Sequence, residues 1–366
     1  MLYYLHQLEH IWGPFRLFRY ITFRGSMALF TALLWGLFVG PKIFSALRRA
    51  KVKDVGRDAS IIGHLAALHA SKKQIPTMGG LAILSGVFLS SLLWLRPNIY
   101  SYSALFAGLW MGVVGMIDDG LKLKRQNTRG LSGYWKLFAQ GLTTIILLFL
   151  LLGIPHCNAT LHQVYLPFCK IPLWATLPTA ILFLYWFLVI SGTSNAFNLT
   201  DGIDGLATIC SLTVLFTYTI FTYVTSHIVF AHYLHLPYLP GVEELTVLCL
   251  TIAGAGIAFL WFNTYPAEIF MGDTGSLAIG TWIGCIALMS HQAITLILVG
   301  FVFVVETLSV ILQRTSRRLF HRRIFKMSPL HHHFELSHIP ESKIVIRFWI
   351  VSLLCAFVGL LSLKLR

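Results

Sequence analysis

Apolar runs of about twenty residues recur along the whole chain, broken only by short polar stretches. Few folds tolerate that pattern. A helix needs roughly 20 apolar residues to cross a hydrocarbon core of about 30 Å. With no water in that core, backbone polar groups must be satisfied inside a helix or a closed barrel. The runs are continuous rather than alternating, which disfavours a barrel. The expected fold is all-α, a single integral membrane domain over residues 1–366. About ten spans are expected, near 26–46, 77–95, 101–118, 136–154, 173–191, 205–225, 244–262, 276–291, 293–312 and 344–363. The two around Ser290–Ala293 are separated by almost nothing and are easily mistaken for one long helix. Only 11% of residues are charged, against roughly 25% in a soluble domain. Met1–Tyr20 mixes His, Glu and Arg with aromatics and lacks the apolar core of a signal peptide. Residues 1–25 therefore read as an interfacial segment.

Charge sets the expected orientation. The chain has 28 Lys+Arg against 14 Asp+Glu, a formal net charge of +14. The basic residues crowd into alternate loops. Arg48–Lys73, Lys122–Lys136 and Arg314–Lys343 are rich in them, while the second, fourth and sixth loops hold almost none. The positive-inside rule places the basic loops in the cytoplasm and both termini in the periplasm. Arg16, Arg19 and Arg24 oppose this but are outnumbered. Topology accounts for most of the positive charge, and no nucleic-acid module is legible, so nucleic acid is not an expected partner. Of six cysteines, Cys157 and Cys169 share the fourth loop, where a disulfide and two free thiols both remain open.

The acids are few, and five aspartates fall at one edge: Asp118, Asp119, Asp201, Asp204 and Asp273. Ionisable groups at a membrane edge carry a functional reading by default. The expected cytoplasmic site loops lie near 47–76, 118–136, 192–204, 263–275 and 313–343. Asp118 and Asp119 close the third span. Adjacent carboxylates repel unless a cation or proton separates them. A divalent metal or the following Lys122, Lys124 and Arg125 would remedy that, and a solvated helix end is the plainer alternative. Asp273 sits between two glycines just before a span. A carboxylate there suits a hard cation, Mg²⁺ above all, and the helix start suits a phosphate; an ordinary capped turn has the same composition. Asp201 and Asp204 are three apart and would share one face of a helix. Lys72 and Lys73 precede Pro76-Thr77-Met78-Gly79-Gly80 and can meet phosphate as point charges. His331, His332 and His333 are consecutive. On a helix they point roughly 100° apart, so they cannot all serve one metal.

Together these pieces resemble a known family. PTMGG (76–80), DDGLKLK (118–124), NAFNLTDGIDGLA (195–207), FMGDTGSLAIG (270–280) and SPLHHHFE (328–335) stand in the order found in the phospho-N-acetylmuramoyl-pentapeptide-transferases. The resemblance implies transfer of phospho-MurNAc-pentapeptide from UDP-MurNAc-pentapeptide to undecaprenyl phosphate, with release of UMP and a need for Mg²⁺. It implies Asp273 as the metal ligand, and Asp118, Asp119, Asp273 and His332 as catalytic. Lys72, Thr77, Lys122, Asn198, Asp201, Asp204, Asn263, Phe270, His331 and His333 would contact substrate, with Phe270 stacking on uracil. Gln74-Ile75 replace the Gly-Thr usual before the proline. The implied setting is the bacterial inner membrane, with the site on the cytoplasmic face, membrane lipid as a partner and a homodimer as a candidate assembly. A polyprenyl-phosphate N-acetylglucosamine-1-phosphate transferase is the near alternative. A secondary transporter is the alternative of another class, but transporters place such acids near the midplane on broken helices.

Overall fold

The computed structural model describes residues 1–50, 52, 75–127 and 130–365. Lys72 and most of the first basic loop lie outside the described residues. Two short 3₁₀ turns, Leu2–Leu8 and Gly13–Arg19, precede α1 (Ile21–Arg49). There follow α2 (Gly80–Trp94), α3 (Ile99–Arg125), α4 (Gly133–Leu152), α5 (Pro155–Leu161), α6 (Thr179–Thr200) and α7 (Leu206–Ser226). The chain continues through α8 (Ile228–Tyr233), α9 (Glu243–Asn263), α10 (Gly272–Met289), α11 (Thr295–Val299) and α12 (Phe301–Leu319). It ends with α13 (Leu330–Glu335) and α14 (Glu341–Lys364). Among the described residues there is no strand, only an isolated antiparallel bridge between Val164 and Trp174. This is an all-α polytopic membrane protein.

Among the described residues, seven helices, α1, α3, α4, α6, α7, α9 and α14, are long and apolar enough to cross a membrane. The other expected spans differ in instructive ways. Helix α2 starts at Gly80 rather than 77, because Pro76–Gly79 is drawn into backbone bonds with another segment. The fifth span starts at Thr179 rather than 173: Leu173 and Trp174 are held by Val164, and Pro178 precedes the helix. The ninth is broken at Gly300 into α11 and α12. The eighth and ninth are indeed separate, with His291 in a left-handed conformation between them.

Helix α10 is the axis of the bundle. Every residue from Asp273 to Met289 is buried, and α3 and α6 pack along it. Small side chains let the neighbours come close. A Cβ on Gly80 of α2 would strike the backbone of Gly275, and one on Gly115 of α3 would strike the carbonyl of Asp273. Helices α2, α3 and α10 thus meet backbone to backbone just where the aspartates lie.

At the opposite end a buried ion pair ties α1 to α9. Arg24 is 2% exposed and Glu244 1%. The guanidinium donates to the carboxylate through both terminal nitrogens at 2.7 and 2.8 Å, and to the Trp94 carbonyl at 3.2 Å. Glu244 also accepts the backbone N–H of Arg96 at 2.9 Å. This explains how Arg24 departs from the charge rule, since its charge is cancelled inside the protein. Cys157 is buried, Cys169 is exposed, and both are free thiols.

Candidate active site

Asp118 and Asp119 lie on the last turns of α3, and Asp273 on the first turn of α10. Two lysines bind the three together. Lys122, one turn beyond Asp118, reaches Asp118 at 2.6 Å, Asp273 at 3.1 Å and Asp119 at 3.5 Å. Lys136, on the first turn of α4, reaches Asp273 at 2.5 Å and Asp118 at 3.1 Å. Three carboxylates against two ammoniums leave a charge of −1 in a cluster where no aspartate is more than 8% exposed.

The carboxylates are not equivalent. Asp119 accepts the backbone N–H of Asp273 at 3.2 Å, the N–H of Thr274 at 3.0 Å and the Thr274 hydroxyl at 2.8 Å. It caps the start of α10, where the peptide dipoles favour an anion. Gly272 turns into that helix with φ +73°, and Asp119 packs where a Cβ on Gly272 would sit. Asp118 is wholly buried, accepts the N–H of Leu131 at 2.7 Å and lies under Gly130. Asp273 accepts from the Asn198 amide at 2.9 Å, and that amide also donates to Ser276 at 2.8 Å.

The PTMGG segment is stitched to the segment before α10 by backbone bonds. Phe270 N–H donates to Pro76, Gly79 N–H to Phe270 and Gly80 N–H to Met271, at 2.9, 2.8 and 2.9 Å. Thr77 and the partly buried Phe270 are thereby placed beside the cluster. Asn263 donates to the Ile269 carbonyl at 2.9 Å and accepts the Gly205 N–H at 3.1 Å, which joins this loop to the start of α7.

Asp201 and Asp204 do not share a helical face. Helix α6 ends at Thr200, and the turn through Gly202 to Gly205, where φ is +77°, separates them. Asp204 is buried and accepts the Ala267 N–H at 3.1 Å. Asp201 stays partly buried at the edge of the cluster. The histidines follow the expected divergence. His331 faces Glu306 of α12 at 3.3 Å, His332 meets Glu335 at 2.5 Å, and the His333 ring accepts the Lys326 N–H at 3.1 Å. His331 also packs against Gly202, so the histidine helix α13 borders the Asp201 turn.

Comparisons with known proteins identify the family. A family model described as glycosyl transferase family 4 matches residues 101–291. A relative from Methylacidiphilum infernorum (isolate V4) is 42% identical and one from Opitutus terrae (strain DSM 11246 / JCM 15787 / PB90-1) is 44% identical, each over the full length of both chains. Both are named phospho-N-acetylmuramoyl-pentapeptide-transferase. The chain belongs to that family.

Several residues in and around the cluster escape sequence reading. Lys136 reads as one more positive-inside charge, and only its return to Asp118 and Asp273 distinguishes it. Thr274 and Ser276 look like ordinary helix-start residues. Glu306 had a usable signal, an acid within an apolar span. It accepts the N–H groups of Leu330 and His331 at 2.7 and 3.1 Å and so anchors α13.

Burial, together with the carboxylates of Asp273, Asp119 and Asp204, pushes the Asp201 carboxyl up to about 7. Raised above its unfolded value, it contributes stability that is present below about pH 4 and lost as pH rises to 7. Asp201→Asn should therefore match the parent near pH 4. It should gain on it up to pH 7, by roughly 5 °C in Tm, and hold that margin above. Thermal unfolding across pH checks this; a parent as stable as the variant at pH 8 would exclude the effect.

Proposed function

We propose that this transferase moves phospho-MurNAc-pentapeptide from UDP-MurNAc-pentapeptide to undecaprenyl phosphate, making the lipid-linked product and UMP at the cytoplasmic face of the inner membrane. One observation carries the reading. Carboxylates and ammoniums from three separate helices converge at one end of an apolar bundle, where a lipid phosphate and a soluble diphosphate can meet.

Asp118, Asp119 and Asp273 are the one group among the described residues with the ligand atoms for a metal, all within 4.8 Å of one another. Hard oxygen donors beside two lysines that can meet phosphate fit Mg²⁺, and Asp273, with the largest exposure of the three, is its proposed ligand. Bound there, the ion would supply charge neutralisation for the diphosphate. The chain's own groups do the rest. Lys122 and Lys136 draw the anionic substrates in and hold their oxygens. Asn198 fixes the rotamer of Asp273, and Asp119 fixes the start of α10. Phe270 offers a face for the uracil, with Thr77, Asn263, Asp201 and Asp204 framing the nucleotide-sugar and His331–His333 bounding its far side. A phosphate oxygen of the acceptor attacks the sugar-bearing phosphorus, the diphosphate bridge breaks, and UMP leaves with the bridging oxygen. The acceptor phosphate is already largely anionic at neutral pH, so a direct attack needs chiefly positioning and charge stabilisation. An apolar cavity of about 290 Å³ between α12, α13 and α14, lined by Phe301, Val305, Phe334 and Phe348, suits part of a polyprenyl chain.

The test is transfer of labelled sugar phosphate to undecaprenyl phosphate by purified protein, with UDP-MurNAc-pentapeptide or UDP-N-acetylglucosamine as donor, with and without Mg²⁺. Transfer from the first donor alone, only with Mg²⁺, is expected. Preference for the second donor would reassign the sugar, and transfer in chelator would remove the metal.

A further inference from the structure

Helix α12 has three distinct faces. Glu306, Ser309, Gln313 and Ser316 are buried against the protein. Leu308, Ile311, Leu312 and Leu319 are about half exposed or more, and Phe320 and Ile324 carry that apolar strip past the helix end. Arg314, Arg317 and Arg318 are exposed on the last turns, and Arg322 and Arg323 on the chain's return.

The return is folded back on the helix. Gln313 accepts the N–H groups of Ile324 and Phe325, both at 3.0 Å, and donates to the Phe325 carbonyl at 2.9 Å. Ser316 donates to the Arg322 carbonyl at 3.0 Å. Five guanidiniums are gathered on this hairpin, and none has a carboxylate within ion-pair reach among the described residues.

A topological signal needs only positive charge near a span. It needs neither a clamped return nor an exposed apolar strip beside the charges. Those two features together mark a surface lying in a bilayer interface, and the planar guanidinium matches phosphate oxygens two at a time. We infer that the α12 hairpin is a docking surface for anionic phospholipid head groups of the surrounding bilayer. The apolar strip sits at the acyl boundary and the arginines hold the phosphates. Because α12 carries Glu306, which anchors the histidine helix, lipid held at the hairpin steadies one wall of the site without entering the reaction.

The test uses the full chain in a neutral detergent, titrated with phosphatidylglycerol or phosphatidylcholine, with bound lipid counted by native mass spectrometry. The parent should prefer phosphatidylglycerol, and the preference should shrink in about 0.5 M NaCl. Each arginine at an anionic surface is worth roughly fivefold in binding. The combined variant Arg317→Gln, Arg318→Gln, Arg322→Gln and Arg323→Gln should therefore lose about tenfold or more in affinity for phosphatidylglycerol and nothing for phosphatidylcholine. Gln313→Ala keeps every arginine but frees the return, and it should weaken the preference too. The inference is overturned if the combined variant keeps the parental preference. It is overturned equally if that variant's KM for the soluble donor rises in neutral detergent, which would assign the arginines to substrate. A Gln313→Ala protein with the full preference would remove the folded hairpin as the binding element.

Discussion

Asp273→Asn should lower transfer by about a hundredfold or more, the usual cost of removing one charge aimed at a reacting centre. The substitution keeps the shape of the side chain. It also keeps the cap on α10, because Asp119 takes the backbone N–H of residue 273 and not its carboxyl. What disappears is the charge that faces Lys122 and Lys136, and one oxygen donor for the proposed cation. The variant should unfold within a few degrees of the parent, and raised Mg²⁺ should recover part of the lost turnover. Asp119→Asn should behave differently. It weakens the cap on α10 by about 1 kcal/mol, so activity and Tm should fall together, and added Mg²⁺ should restore neither. An Asp273→Asn protein that works at the parental rate in limiting Mg²⁺ would refute the assignment of Asp273.

Glu244→Ala should destabilise the fold by about 3–5 kcal/mol, the cost of leaving a buried charge without its partner. Arg24 is too enclosed to swing out to solvent, and its remaining bond is to the Trp94 carbonyl. The same substitution leaves the Arg96 N–H without its acceptor. Pairing Glu244→Leu with Arg24→Met should restore most of the loss, because an apolar pair of similar volume carries no desolvation penalty. Detergent-solubilised protein followed by thermal unfolding decides it. If the single variant melts with the parent, the pair contributes nothing to stability.

Much of this architecture can be read from the chain because the membrane makes polar residues rare. Asp118, Asp119 and Asp273 stood out as acids at span ends, and the structure brings them within one cluster. Helices α3 and α6 instead run on past the return of polarity, to Arg125 and Thr200. Other features depend on contacts that no local pattern encodes. Gly300 breaks a helix, yet Val299 before it and Phe301 after it disguise the site as continuous span. Asp201 and Asp204 have helical spacing, but Gly202 and Gly205 turn the backbone between them. Lys136 is one cation among many until α4 folds back beside α3. Arg24 looks like an error against the charge rule because its partner lies 220 residues away.

Helices α2, α3 and α10 touch through bare backbone at Gly80, Gly115 and Gly275, with no side chain between them at those points. Sliding between packed helices normally works through small rearrangements of such a layer. Without it at those points, little room is left for α2 or α3 to slide past α10 beside the Asp119 cap. By contrast, α12 holds α13 through a side chain, Glu306, and the N–H groups of Leu330 and His331.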